Sequence, residues 1–358
     1  MNYKIDKLEA LFLILIVMTN KILLNMPKEI IKEAKTGAPA NLIFTCIICI
    51  LLVLLICKLF KKFPNEDIID ISYYLGKKPL QILLSVGFTL LFSIIILTVI
   101  YEFTNLLQVI YFPNTPTELI LLFFLVAIAV ANKVGFRAII KTNTIVVALI
   151  LLSLIIILGG TINNLNLNRL NPILGQNINQ TFIKGLSNIY AYGGLVYLFF
   201  ILPFLKDKNK FKSISVIAIL ISGLFLIFTT ITLLSLFPFI LNSEELMSMY
   251  VLTRCIEFGE FFQRTDAAFI FLWIISAFSY LSVSHLFLSN IFRKTTQCKE
   301  ANVYQYSFLG IFFGLLVLFK NQVIVKFLET IVYKYLILAL LGLSLIILIF
   351  ANIKRKDC

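Results

Sequence analysis

The sequence predicts an all-α integral membrane protein: ten transmembrane helices in two five-helix halves forming a 5+5 inverted repeat, with helices 1 and 6 broken. Three observations carry this expectation. The 358-residue chain is 60% hydrophobic and 14% charged, against about 45–50% and about 25% in an ordinary soluble domain. Its apolar residues fall into runs close to the roughly 20 residues that cross a bilayer. The first run of each half is interrupted at an equivalent place, which points to an inverted-repeat membrane fold with a site near the midplane.

The whole chain, 1–358, reads as one transmembrane domain, with helices 1–5 over about 8–159 and helices 6–10 over about 184–352. Span one, about 8–35, meets Thr19-Asn20-Lys21, poor choices for a lipid-facing helix centre, and then Pro27. A proline suits the first turn of a new helix, where its missing N–H is no loss. Spans two and three cover about 41–60 and 80–108. Span four, about 117–132, is short, and span five covers about 141–159. Span six, about 184–205, is interrupted at Tyr190-Ala191-Tyr192-Gly193-Gly194. Paired glycines weaken a helix locally and let backbone approach a ligand. Spans seven to ten cover about 213–239, 267–292, 304–320 and 331–352. The connections at 160–183 and 240–266 are the longest, and neither is long enough for a separate soluble domain.

Orientation follows from the basic residues. With the N-terminus placed in the cytoplasm, inner segments hold 20 of the 31 Lys and Arg and outer segments hold 10, with Lys21 left inside a span. This bias predicts cytoplasmic N- and C-termini. The net charge of +13 is thus an orientation signal and not a nucleic-acid footprint. The basic loop from Lys206 to Lys212 belongs to the same signal, with contact to anionic lipid secondary. No signal peptide is expected, because the first run ends in Asn25-Met26-Pro27 and charges, not a small-residue cleavage site.

The same composition excludes a soluble enzyme, a secreted disulfide scaffold and a disordered chain. A single His, His285, argues against a His-rich metal site or a His-based triad. Cys46, Cys49 and Cys57 lie in one apolar run and Cys255, Cys298 and Cys358 are scattered, so they read as small hydrophobes. There is no P-loop, nucleophile elbow or Asp-rich metal motif. No enzyme activity, cofactor, metal or nucleic-acid partner is expected.

Residues 252–273 carry a more specific pattern. Arg254 is followed by Gly259-Glu260-Phe261, then Arg264, Asp266 and Ala267 leading into a span with Trp273. This resembles the spore-germination permease family, the B subunits of nutrient germinant receptors. Asn25-Met26-Pro27, Phe63-Pro64, Glu102 and Leu202-Pro203-Phe204 are similar to further positions of that family. The chain departs from the family's usual residues at Asn20-Lys21, Ala191 and Gly194. The resemblance implies the LeuT/APC-type fold of the amino acid–polyamine–organocation superfamily and residence in the spore inner membrane. It also implies a larger A subunit and a lipoprotein C subunit as partners, and sensing of a small nutrient, usually an amino acid.

In such a fold the ligand lies between spans one, three, six and eight. Backbone at Asn20, Lys21 and Ile22 and at Tyr192, Gly193 and Gly194 is the expected cradle, since helix breaks offer free N–H and C=O groups to a zwitterion. Tyr190, Tyr192, Thr98 and Ser282 are the candidate size-setting side chains, with ordinary packing as the competing reading. Lys21 stands out: at about 1.5 Å per residue it lies roughly 20 Å from the inner face, where a charge costs about 2.5–3.5 kcal/mol on insertion scales. Three roles stay open for it: holding a ligand carboxylate, pairing with Glu102, or filling the place of a coupling cation. Arg254, Gly259, Glu260, Arg264, Asp266 and Trp273 read as a structural signature, a lid or docking surface over the site. The principal alternative is an amino acid transporter, proton- or cation-coupled; a purely structural subunit is a third reading.

Overall fold

The computed structural model describes residues 3–237, 248–256, 265–297, 301–318 and 322–355. All regular structure among them is helical apart from one isolated parallel bridge between Ile5 and Leu205. Eight helical stretches are long and apolar enough to cross a membrane, beginning with Met26–Phe60 and ending with Ile324–Lys354. Two shorter apolar helices, α1 (Lys7–Leu23) and the stretch Tyr304–Leu318, stand where the sequence places the first and ninth runs.

Helix α1 starts on a capping box, Asp6 with Glu9, and stops at Leu24, whose ψ of −128° leaves the helical region. Helix α2 (Met26–Ala34) then begins with Pro27 in its first turn, as a proline prefers. The break in span one therefore falls at Leu24–Asn25. Asn20, Lys21 and Ile22, expected to be unwound, are instead helical within α1. Asn20 has a tertiary partner that does not require the helix to open: its Nδ2 donates to Ser276 Oγ at 2.9 Å, while its Oδ1 is buried without a hydrogen-bond partner among the described residues.

Helix α3 (Ala38–Phe60) follows and, with α2, forms a stretch long and apolar enough to cross a membrane. Helix α4 (Ile68–Ile110) starts well before the expected residue 80, because a short amphipathic piece joins it through a kink at Gly76–Lys77, two residues ahead of Pro79. Helices α5 (Thr117–Val134) and α6 (Phe136–Gly160) follow. The sixth span is not an α-helix over its first part: Lys184–Tyr197 is wound as a 3-10 helix, with Tyr192 off helical values, before α7 (Leu198–Ile201). A 3-10 run longer than 3–4 residues is uncommon. Asn41 of α3 holds its start, donating to Thr181 O at 2.7 Å and Gly185 O at 2.9 Å and accepting from Asn188 Nδ2 at 3.0 Å.

Helices α8 (Phe211–Leu236), α9 (Ser248–Arg254), α10 (Thr265–Thr296) and α11 (Ala301–Leu318) come next. The last span starts earlier than residue 331: α12 (Gln322–Phe327) runs through a π-turn, Leu328–Val332, into α13 (Tyr333–Lys354). Helix α1 packs on α6, α8, α10 and the sixth span, and is buried from Leu13 to Leu24. The outward helix faces carry apolar side chains, as at Ile43, Ile47, Leu51, Leu220 and Leu224. Lipid tails are as apolar as leucine, so helix association there rests on close packing and buried hydrogen bonds.

Candidate ligand site

The break in span one presents its polar groups to the first turns of the last span. Lys21, 3% exposed, sits one turn before the break. Its Nζ lies 3.6 Å from Glu329 Oε1 and 4.7 Å from the centre of the Tyr333 ring. Among the described residues no neighbour comes within hydrogen-bond distance of it. Glu329 is carried by the π-turn, a local widening that often marks functional sites.

Asn25, the residue at the break, donates from Nδ2 to Glu102 Oε1 at 3.0 Å. The other oxygen of Glu102 is buried and has no hydrogen-bond partner among the described residues. Glu329 and Lys21 are both charged neighbours of Glu102. A Lys21–Glu102 pair, one of the three roles left open for Lys21, is not the contact made: Lys21 pairs with Glu329, and Glu102 is held by Asn25. One ammonium faces two carboxyls in a buried setting.

A narrow cavity of about 10 Å³ opens among Lys21, Met26, Glu29, Tyr190, Glu329 and Tyr333. That is room for about one water molecule. Tyr190 closes one side, with its ring 6.4 Å from that of Tyr333 and 5.1 Å from Lys334 Nζ. Lys334 is in turn clamped by Glu33 of α2 at 2.7 and 2.9 Å.

The other expected residues are placed differently. Tyr192 points away, donating to Leu42 O at 3.1 Å and packing near Gly223. Gly193 faces Tyr333 and Ile337, and Gly194 faces Met18 of α1. These two glycines bring the sixth span against both walls of the cavity without lining it. Thr98 donates to Ile94 O on its own helix, the ordinary habit of a buried threonine. Ser282 likewise bonds Phe278 O and lines a separate groove with Ala131, Ala138 and Thr142. Ile22 is buried core. In the signature region, Arg254 lies over the Tyr250 ring and Trp273 is fully buried beside Phe269. Asp266 is buried. Gly259, Glu260, Phe261 and Arg264 lie outside the described residues.

Sequence reasoning misses Glu329, Tyr333 and Asn25. In the sequence Glu329 falls in the outer connection before span ten, because charges fix the expected boundary at 331. A search for acids at the same membrane depth as Lys21 finds it.

A family model described as Spore germination protein matches residues 4–325. The chain belongs to the spore germination protein family. Spore germination protein KB of Bacillus subtilis (strain 168) is 26% identical over 272 residues, covering 73% of this chain and 70% of that protein. Among solved structures, the manganese transporter of Eremococcus coleocola is similar in fold. A point mutant superposes with a TM-score of 0.56 at 11% identity, over 95% of this chain and 75% of the transporter. Its complex with an aromatic bis-isothiourea substituted compound gives 0.55 at 11% identity, over 96% and 75%. The protein is a multi-pass integral membrane protein of transporter-like architecture in that family.

Proposed function

We propose that this chain is the membrane-embedded B subunit of a nutrient germinant receptor, binding a small amino acid at the break in span one and helping to trigger germination. The observation that carries the reading is the buried Lys21–Glu329 pair with Glu102 beside it, at a helix break, in a spore germination protein. The pair is loose at 3.6 Å. A zwitterion entering between the two charges would replace one protein ion pair by two ligand ion pairs, the carboxylate on Lys21 and the ammonium on the acidic side. Little is lost on separating the pair, and the ligand's charges would avoid the cost of burial unpaired. The cavity as seen is closed to a ligand of that size, so binding requires the outer ends of spans one, six and ten to part.

The same proposal takes the fold as ten spans in a 5+5 inverted repeat of LeuT/APC type, with α1–α2 and the 3-10 segment as the two broken helices. It takes the spore inner membrane as location, with an A subunit and a lipoprotein C subunit as partners. The test is germination of spores carrying Lys21→Met or Tyr190→Ala against graded amino acids. A rightward shift of the dose response by about tenfold or more is expected, the loss of one buried ion pair or aromatic wall. Unchanged dose responses in both variants would refute ligand binding at the break.

The likeness to a transporter favours one second reading, a proton- or cation-coupled amino acid transporter. Concentrative uptake of radiolabelled amino acid by the isolated chain in proteoliposomes would favour transport; binding without uptake would favour the receptor.

A further inference from the structure

At the end of the molecule that carries the N-terminus, a second cavity of about 530 Å³ opens between the end of α3, the end of the sixth span and the start of α8. Four lysines line it: Lys58 and Lys61 from α3 and its exit, and Lys208 and Lys212 from the start of α8. Among the described residues that line it, none is acidic. Two nearby carboxylates are otherwise engaged. Asp6 pairs with Lys206 at 2.8 Å, and Asp207 accepts from the backbone N–H of Asn209 at 3.1 Å. Lys208 donates to the side-chain oxygen of Asn65, and Lys4 stands close enough to repel it.

Four lysines on one cavity with no acidic lining residue among those described give it a positive field that favours an anion. The rest of the cavity says which kind. Its wall is apolar, with Phe60, Leu202 and Phe211. From Lys58, exposed apolar residues climb α3 at one-turn intervals: Leu55, Leu51, Ile47 and Ile43. From Lys212 a matching stripe climbs α8: Leu220, Leu224 and Phe228. The two helices pack side by side. Each stripe covers about 16 residues, which at about 1.5 Å per residue is roughly 24 Å, long enough for an acyl chain. A soluble phosphate would need the lysines and not the stripes.

We propose that this cavity is a binding site for the phosphate headgroup of an anionic phospholipid, with its acyl chains lying along the α3 and α8 stripes. The site is distinct from the helix break, and it does not depend on what binds there. Basic pockets between transmembrane helices are suited to such headgroups.

The test uses the purified full-length chain in detergent, titrated with phosphatidylglycerol or phosphatidylcholine and read by native mass spectrometry and thermal unfolding. Phosphatidylglycerol should be retained and should raise the unfolding temperature, with phosphatidylcholine doing neither. Each lysine is expected to contribute about fivefold in lipid affinity. Replacing Lys58, Lys61, Lys208 and Lys212 by Gln should bring the two lipids to parity. A control of equal charge, with Lys77, Lys78, Lys133 and Lys141 replaced by Gln, should keep the preference. If the quadruple variant does not fold, the exposed pair Lys58→Gln and Lys212→Gln should still lower affinity by about 25-fold. Loss of preference in the control as well as in the site variant would mean diffuse surface charge and overturn the proposal. Equal stabilisation by glycerol 3-phosphate would assign the cavity to a soluble phosphate and overturn the lipid.

Discussion

Lys21 is the residue on which the site turns, and its environment explains how a charge is tolerated there. Coulomb attraction to Glu329 and the π-face of Tyr333 replace part of its lost hydration. Neither supplies a short hydrogen bond, so the ammonium is compensated without being locked. Removing one partner of a buried pair leaves the other uncompensated, at a cost of roughly 3–5 kcal/mol when burial is complete. Glu329 keeps 17% of its side chain exposed, so the lower end of that range applies. Lys21→Met and Glu329→Gln should each destabilise the chain in detergent, and the double variant should recover much of the loss. Thermal unfolding of the four members of the cycle measures this; strictly additive losses would show that the two charges do not interact.

At the scale of elements, the site depends on how closely the sixth span approaches its neighbours. A Cβ on Gly194 would lie 2.5 Å from Met18 Cγ and 3.3 Å from the Met18 backbone nitrogen. A methyl group there must push the 3-10 segment off α1. Gly194→Ala should therefore cost about 1–3 kcal/mol, as overpacking does, and should weaken any response to ligand. Gly342, in the middle of α13, has no described neighbour within 4 Å of such a Cβ. Gly342→Ala should be neutral or mildly stabilising, since Ala is the better helix former by about 1 kcal/mol. Unfolding midpoints of the two variants give the comparison; equal effects would argue against tight packing at Gly194. The start of the same span has its own constraint, because a Cβ on Gly185 would collide with the Asn41 amide that holds three polar groups.

At the scale of the whole molecule, the N-terminus is tied to the end of the sixth span. Ile5 donates to Phe204 O at 2.8 Å and accepts from Lys206 N–H at 3.1 Å. Lys208, just beyond, reaches Asn65 in the connection after α3. In that same connection Lys62 accepts from Arg355, near the other terminus. Lys294 of α10 pairs with both Asp67 and Asp70 at the cap of α4. Both termini thus meet the same end of the helical body, which requires an even number of crossings. In a cysteine-free background, cysteines placed at Lys4 and Lys354 should react with a membrane-impermeant maleimide only after permeabilisation. A cysteine at Asn168 should react in intact cells. Labelling of the two termini from opposite sides would contradict this topology.

Much of this is legible in the amino-acid sequence, and the reason differs from feature to feature. The spans are legible because crossing a bilayer demands long apolar runs whatever the packing. The unusual winding of the sixth span is legible because Gly193 and Gly194 weaken an α-helix locally. The exact break in span one is not, because Asn20 looks unsatisfied until Ser276 of a distant helix is brought to it. Thr98 and Ser282 are misplaced for a related cause: their hydroxyls are satisfied on their own helices, and only packing fixes which way a helix turns. The four lysines of the lipid cavity are visible as inner-loop charge, but their convergence is not. By itself, then, the sequence determined membrane residence, most of the long apolar helices, the family and the presence of one charge too deep to be incidental. Only the tertiary structure decided which acid answers that charge, because Lys21 and Glu329 stand near opposite ends of the chain and meet through helix packing alone.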